Sequence, residues 1–148
     1  MVNVRTEIHI RAPRADVAAF AGNPVNATQW YQNIASVRWL SEPPLQIGSL
    51  LAFSARFLGR TLDYSYEFVE LVPREKLVMR TSQGPFPMQT TYTWSDAGDG
   101  TLMTLNNSGE PHGFSVLAGA LMAPMMRRAM RKDLASLKAI LESGPLQP

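Results

Sequence analysis

The sequence predicts an α+β fold: a curved antiparallel β-sheet wrapped around one long C-terminal helix, with two short helices after the first strand. Three observations predict it. Val4, Thr6, Ile8 and Ile10 alternate with Arg5, Glu7, His9 and Arg11, the period of a strand with one buried face. From Ser36 to Asn107 apolar residues recur mostly at every second position, which extends that strand into a meander. From Gly113 to Ser143 the period changes: Met126, Met130, Leu134, Leu137 and Leu141 recur at steps of three and four, the stripe of an amphipathic helix. A sheet and a helix that bury each other's apolar sides in this way can enclose a cavity.

Each element follows from its residues. Ala12-Pro13 breaks the first strand, and Pro13 can open a helix to Ala21 in which Val17 and Phe20 form the apolar side and Asp16 suits the positive first turn. After Gly22-Asn23-Pro24, the spacing of Trp30 and Tyr31 predicts a second short helix from Val25 to Ile34, capping one end of the sheet. Strand positions then follow at Val37 and Trp39, at Leu51 to Phe57, and at Leu62, Tyr64, Tyr66 and Phe68 against Asp63, Ser65 and Glu67 outside. Leu58-Gly59-Arg60 predicts a tight hairpin, and Val72-Pro73-Arg74-Glu75 ends the next strand because proline cannot donate to a ladder. Leu77 to Thr81, Met88 to Trp94 and Met103 to Asn107 complete the meander, with a turn of residues that accept positive φ at Asp96-Ala97-Gly98-Asp99-Gly100. In the final helix Pro124 removes a backbone hydrogen bond and crowds the preceding turn, which predicts a kink or break near Leu121 to Pro124; Gly144-Pro145 stops the helix.

Composition narrows the function classes. A chain of 148 residues, 45% hydrophobic and without cysteine, fits one domain over 1–148 with a sizeable core and neither disulfides nor thiolate chemistry. The start, Met1 to Arg5, lacks the basic flank and apolar core of a secretory signal, so a cytoplasmic location is expected. The least polar stretch, Gly113 to Met126, is interrupted by Ser115 and Pro124 and is too short for a membrane span. A net charge of +2 is too small to define a partner, and nucleic acid is not expected.

The order and spacing of several short pieces resemble the START-like, or Bet v 1-like, superfamily (SRPBCC, with polyketide cyclase and dehydrase relatives). The pieces are Ile8 to Pro13 with Asp16 to Phe20, Asn26 to Trp30, Gly48 opening a strand, Glu70 to Pro73, Gly100 to Leu105, and Leu134 to Glu142. The resemblance covers nearly the whole chain and implies a helix-grip fold with a cavity. Its members include hydrophobic-ligand carriers, sensors, cyclases and chaperone co-factors, and a shared fold does not choose among them.

Strand parity identifies the candidate cavity wall, because the face that alternates away from the charged residues turns toward the helix. From the sheet these candidates are Phe53, Ala55, Phe57, Tyr64, Tyr66, Phe68, Met79, Thr81, Met88, Thr90, Tyr92, Met103 and Asn107; from the helix, Phe114, Leu117, Leu121, Met122, Met125, Met126 and Met130. Methionine is flexible and polarisable, so such a wall adapts to irregular ligands. The tyrosines, threonines and Asn107 are the groups that would orient a ligand, and any of them is equally served by an internal partner. The expected ligand is small and hydrophobic, with hydroxyl groups: polyketide-, sterol- or lipid-like.

Catalysis has thinner support. His9 falls on the outer face of the first strand and His112 in the turn before the last helix; with no cysteine, no metal site and no cofactor are expected. Glu110 or His112 at the pocket mouth are the candidate proton-transfer groups for a cyclase or dehydrase, whose substrate folding supplies proximity, against the plain reading of both as an exposed turn. The third possibility is a protein-interaction module without a cavity. Arg127, Arg128, Arg131 and Lys132 form a basic helix face with Asp133 close by, read as a solvated surface, the alternatives being anionic lipid headgroups, a charged ligand tail or a partner protein. The mouth is expected where Leu58 to Arg60, Ser82 to Pro87 and Gly109 to Gly113 meet, with Gly84-Pro85-Phe86-Pro87 either a gate or an ordinary loop.

Overall fold

The structure, a computed structural model, describes residues 2–57, 59–83, 87–109 and 116–143, with the side chains at 57 and 116–121 outside the description. Seven strands form one antiparallel sheet: β1 (Val2–Ile10), β2 (Ile34–Trp39), β3 (Leu50–Phe57), β4 (Arg60–Val72), β5 (Lys76–Gln83), β6 (Met88–Ala97) and β7 (Gly100–Gly109). Their order across the sheet is β1-β7-β6-β5-β4-β3-β2, so every neighbour except β1-β7 is also a neighbour in sequence. Two short helices, α1 (Arg14–Ala21) and α2 (Ala27–Trp30), follow β1, and α3 (Val116–Glu142) closes the chain. This is the helix-grip arrangement the periodicity predicts.

Alternation builds the core. On β4 the residues Leu62, Tyr64, Tyr66 and Phe68 are buried, while Thr61 and Asp63 are exposed. Register shifts between Phe68 and Glu70 in the β4–β5 pair, and between Ile34 and Ser36 in the β2–β3 pair, put extra residues into one strand and bend the sheet. The concave face so formed receives the stripe of α3, where Met130, Leu134 and Leu137 are buried against Val4, Ile10, Met103 and Leu105. The far end of α3 is tied down: Lys138 Nζ donates to the His9 carbonyl at 2.9 Å and to Glu142 Oε2 at 2.6 Å, and that same oxygen accepts the Arg11 N–H at 2.6 Å.

Two expectations are corrected. The second helix does not run from Val25 to Ile34: a 3₁₀ turn (Pro24–Asn26), capped by the Asn23 side chain accepting from Val25 N–H, leads into the single turn of α2. Tyr31 turns extended, with φ −82 and ψ 121, and Ile34 already pairs with Ala55 as the start of β2. Of the kink or break expected near Leu121 to Pro124, the break does not occur, since the helix is continuous over 27 residues with that proline inside it. Pro124 is exposed, so its ring points into solvent, and only one helix hydrogen bond lacks a donor. The start expected at Gly113 and the stop at Gly144-Pro145 lie outside the described residues.

Gly100 fits a close approach. A Cβ there would lie 2.1 Å from the Ile10 carbonyl oxygen and 2.9 Å from the Arg11 Cα, backbone that cannot rotate away. Gly98, at φ +58, has open space around it. Gly100→Ala should therefore cost about 1–3 kcal/mol through forced displacement of β1, and Gly98→Ala about 1–2 kcal/mol through its left-handed backbone alone. Leu137→Ala, at a fully buried position, should cost about 2–5 kcal/mol. Urea denaturation of the three variants checks these values.

Candidate functional site

Between the concave face and α3 the interior is not filled. A cavity of about 170 Å³ lies under the helix. The sheet contributes Phe53, Ala55, Leu62, Tyr64, Tyr66, Met79, Met88, Thr90, Tyr92 and Asn107, and α3 contributes Met122, Met126, Ala129, Met130 and Asp133. Tyr31, Asn33, Ile34 and Arg56 close one side. The topology puts the β3–β4 turn, the β5–β6 connection and the end of β7 at one end of the sheet.

Most of the wall expected from parity is brought together here. Phe68, Thr81, Met103 and Met125 are not. Phe68 lies beside the β4 register shift, deep in the core at 1% exposure, with its N–H bonded to the Ser49 carbonyl. Thr81 turns its hydroxyl to accept the Met88 N–H at 3.0 Å. Met103 is wholly packed against the core. Met125 is 41% exposed, because one residue's rotation from Met126 carries it off the apolar stripe. Phe57, Leu117 and Leu121 as side chains, and Glu110, His112, Phe114 and the 84–86 part of the expected gate, lie outside the described residues.

Several polar groups of the cavity are paired with one another. The Tyr31 and Tyr92 hydroxyls share a hydrogen bond of 2.7 Å. Tyr31 is held by its ring against Trp30, at a centroid distance of 4.2 Å, and Trp30 also meets Tyr92 at 5.8 Å. Thr90 Oγ1 donates to Asn107 Oδ1 at 2.6 Å. Burial pushes the Tyr31, Tyr66 and Tyr92 phenols well above their ordinary range and the Tyr64 phenol up to about 12. All four stay protonated near neutral pH and serve as hydrogen-bonding groups rather than bases.

Asp133 is the group that parity on the strands does not reveal. It stands three residues after Met130 and four before Leu137, on the apolar stripe of α3 rather than on the basic face, and is 4% exposed. The reading of Asp133 as a companion of the surface arginines is thus corrected: helical phase turns it inward. Its Oδ1 accepts the Gln32 N–H at 3.0 Å, and among the described residues no cation pairs with it. Loss of hydration raises its pKa to about 6, with the Gln32 hydrogen bond pulling the other way.

Residues 31–34 act as a strap along one side of the cavity. Tyr31 bonds Tyr92, the Gln32 N–H holds Asp133, the Asn33 carbonyl accepts the Arg56 N–H at 2.8 Å, and Ile34 opens β2. The expected second helix runs through these same residues, which hides the strap from a reading of local pattern. Among the described residues no group of three or more His, Cys, Asp or Glu is placed to hold a metal ion, and no helix is long and apolar enough to cross a membrane.

Comparison with known proteins bears on the fold and the family. TTHA0849 from Thermus thermophilus superposes with a TM-score of 0.82 at 18% identity, over 97% of this chain and 99% of that one. The Zhui aromatase/cyclase from Streptomyces sp. R1128 gives 0.80 at 13% identity, over 96% and 97%. Major latex-like protein 151 from Panax ginseng gives 0.72 at 10% identity, over 95% and 97%. At such identities the likeness is one of fold. No curated protein sequence matches the chain. The family described as polyketide cyclase / dehydrase and lipid transport matches residues 1–142, and on that match, together with its helix-grip fold, the chain belongs to this family.

Proposed function

We propose that the protein binds a small hydrophobic, partly hydroxylated molecule in the cavity between the sheet and α3, without cofactor or metal. The observation that carries this reading is an apolar cavity whose wall includes two hydroxyl-bearing pairs, Tyr31–Tyr92 and Thr90–Asn107, and one carboxylate, as a site that orients one end of an apolar ligand requires. A cavity of about 170 Å³ suits a ligand portion of one or two rings. A longer polyketide-, sterol- or acyl-like molecule would extend through the mouth or displace the methionines. The cysteine-free composition supports a cytoplasmic setting. A protein-interaction module without a cavity would need a filled interior, and the open volume under α3 counts against it.

Asp133 favours a second reading, proton transfer of the cyclase or dehydrase type in the same cavity. Its carboxylate would take a proton from a ligand carbon next to a carbonyl, and the electron pair would pass to the carbonyl oxygen. Of the two protons on the Tyr31–Tyr92 pair, one is engaged between the oxygens and the other is free to donate to that oxygen. A base with a pKa of about 6 is largely ionised at neutral pH and still basic enough to be useful.

Native mass spectrometry of gently purified protein, followed by extraction, should reveal a bound apolar compound. Met126→Trp, which fills the cavity from a half-buried position, should weaken binding of a fluorescent hydrophobic probe about tenfold or more, a loss of at least ~1.4 kcal/mol. Unchanged probe binding would remove the cavity reading. If the second reading holds, Asp133→Asn abolishes turnover of the extracted ligand and leaves its binding intact.

The same residue gives a pH signature. The folded pKa of Asp133, about 6, lies above the ordinary value of 3.8, so the folded state holds its proton more tightly than the unfolded one. Its burial is therefore without penalty below about pH 4, and stability is lost as pH rises through about 6, by about 3 kcal/mol in all. Asparagine keeps an oxygen for the Gln32 N–H and carries no charge. Asp133→Asn should match the parent in urea midpoint near pH 4 and exceed it at pH 8; equal midpoints at both would show that Asp133 is not desolvated.

A further inference from the structure

The outer face of α3 carries a feature that ligand binding does not use. Arg127, Arg128, Arg131 and Lys132 lie within two turns of helix, around a shallow concavity shared with Ala123 and Pro124. Arg128, Arg131 and Lys132 are exposed; Arg127 reaches the Arg5 carbonyl at 3.1 Å. Among the described residues none of the four has an acidic partner, since Asp133, the neighbouring acid, is turned into the cavity. The charge of the molecule is thereby segregated. Four of the fourteen basic residues sit on this face, which leaves ten against twelve acids in the rest of the chain.

We infer that this face of α3 docks the protein on an anionic phospholipid surface. Two further observations select a membrane over other polyanions. The patch includes an exposed apolar edge, Pro124 and Met125, which can enter the headgroup layer, and it has no aromatic residue on which a nucleic-acid base would stack. The same turns that carry the cations present Met122, Met126 and Met130 to the cavity on the opposite side. A docked surface is thus one helix width, about 10 Å, from the cavity. An apolar ligand that is poorly soluble in water would thereby be held close to the bilayer as it enters and leaves the cavity. In this respect the inference rests on the proposed cavity function.

The test is co-sedimentation of the whole protein with vesicles of phosphatidylcholine alone, or of phosphatidylcholine and phosphatidylglycerol in equal parts. Binding is expected only to the anionic vesicles, and should fall with added salt. Each neutralised cation should weaken it about fivefold, so the triple variant Arg128→Gln, Arg131→Gln, Lys132→Gln should lose on the order of 100-fold. Arg127 is left in place because it also bonds β1. The same hydrophobic probe serves as control, since the three exchanged side chains are exposed and outside the cavity wall: the variant should bind it as the parent does. Equal binding to neutral vesicles, retention by the triple variant, or binding of an RNA oligomer with vesicles ignored would overturn the inference. Anionic-vesicle binding by a protein that takes up no probe would leave the docking surface standing and remove the cavity function instead.

Discussion

Everything in this molecule depends on the mutual burial of the α3 stripe and the concave face of the sheet. Neither element is stable by itself: a long isolated helix is marginal in water, and a sheet with one apolar face needs a cover. Met130, Leu134 and Leu137 meet Val4, Ile10, Met103 and Leu105, and the Lys138 and Glu142 contacts with β1 and its following turn fix the helix along its axis. With the C-terminal half so anchored, the described part nearer the N-terminus crosses a sheet that bends away from it. Curvature leaves the volume there that side chains do not occupy, and the cavity is a consequence of sheet shape as much as of residue choice.

That geometry explains why a carboxylate can sit on an apolar stripe. Asp133 occupies the boundary between the packed half of α3 and the half that lines the cavity, with Leu134 and Leu137 on one side and Met126 and Met130 on the other. In the packed half an acid would have no partner at all. At the boundary it gains the Gln32 N–H, and its burial still costs free energy when ionised. Functional groups commonly carry such a cost, which the surrounding core offsets.

The sheet was legible in the sequence because apolar and polar residues alternate along much of it, most clearly on β4, where Leu62, Tyr64, Tyr66 and Phe68 declare their face without knowledge of their neighbours. The same rule recovered Phe53, Met79, Thr90, Tyr92 and Asn107 as cavity wall, and could not separate them from Phe68 or Met103, since parity gives a face and not a position along the curved axis. On α3, treating methionines as a class pulled in Met125, whose helical phase points outward. Asp133 could have been found from the same phase: an acid at the i+3 position from Met130 and i−4 from Leu137 does not belong to a solvated face. Tyr31 to Ile34 were hidden for another reason. Their conformation is set by tertiary bonds to Tyr92, Asp133 and Arg56, and local propensity holds no record of those partners.

The aromatic stack behind the strap gives the protein an optical property of its own. Trp30 is 1% exposed, its indole N–H has no hydrogen-bond partner among the described residues, and its ring lies against Tyr31 and Tyr92, both of which face the cavity. An indole in so dry a setting emits toward the blue, and its emission follows the polarity and motion of the two tyrosines beside it. Among the three tryptophans of the chain, Trp30 thus places an intrinsic fluorophore one side chain away from the cavity.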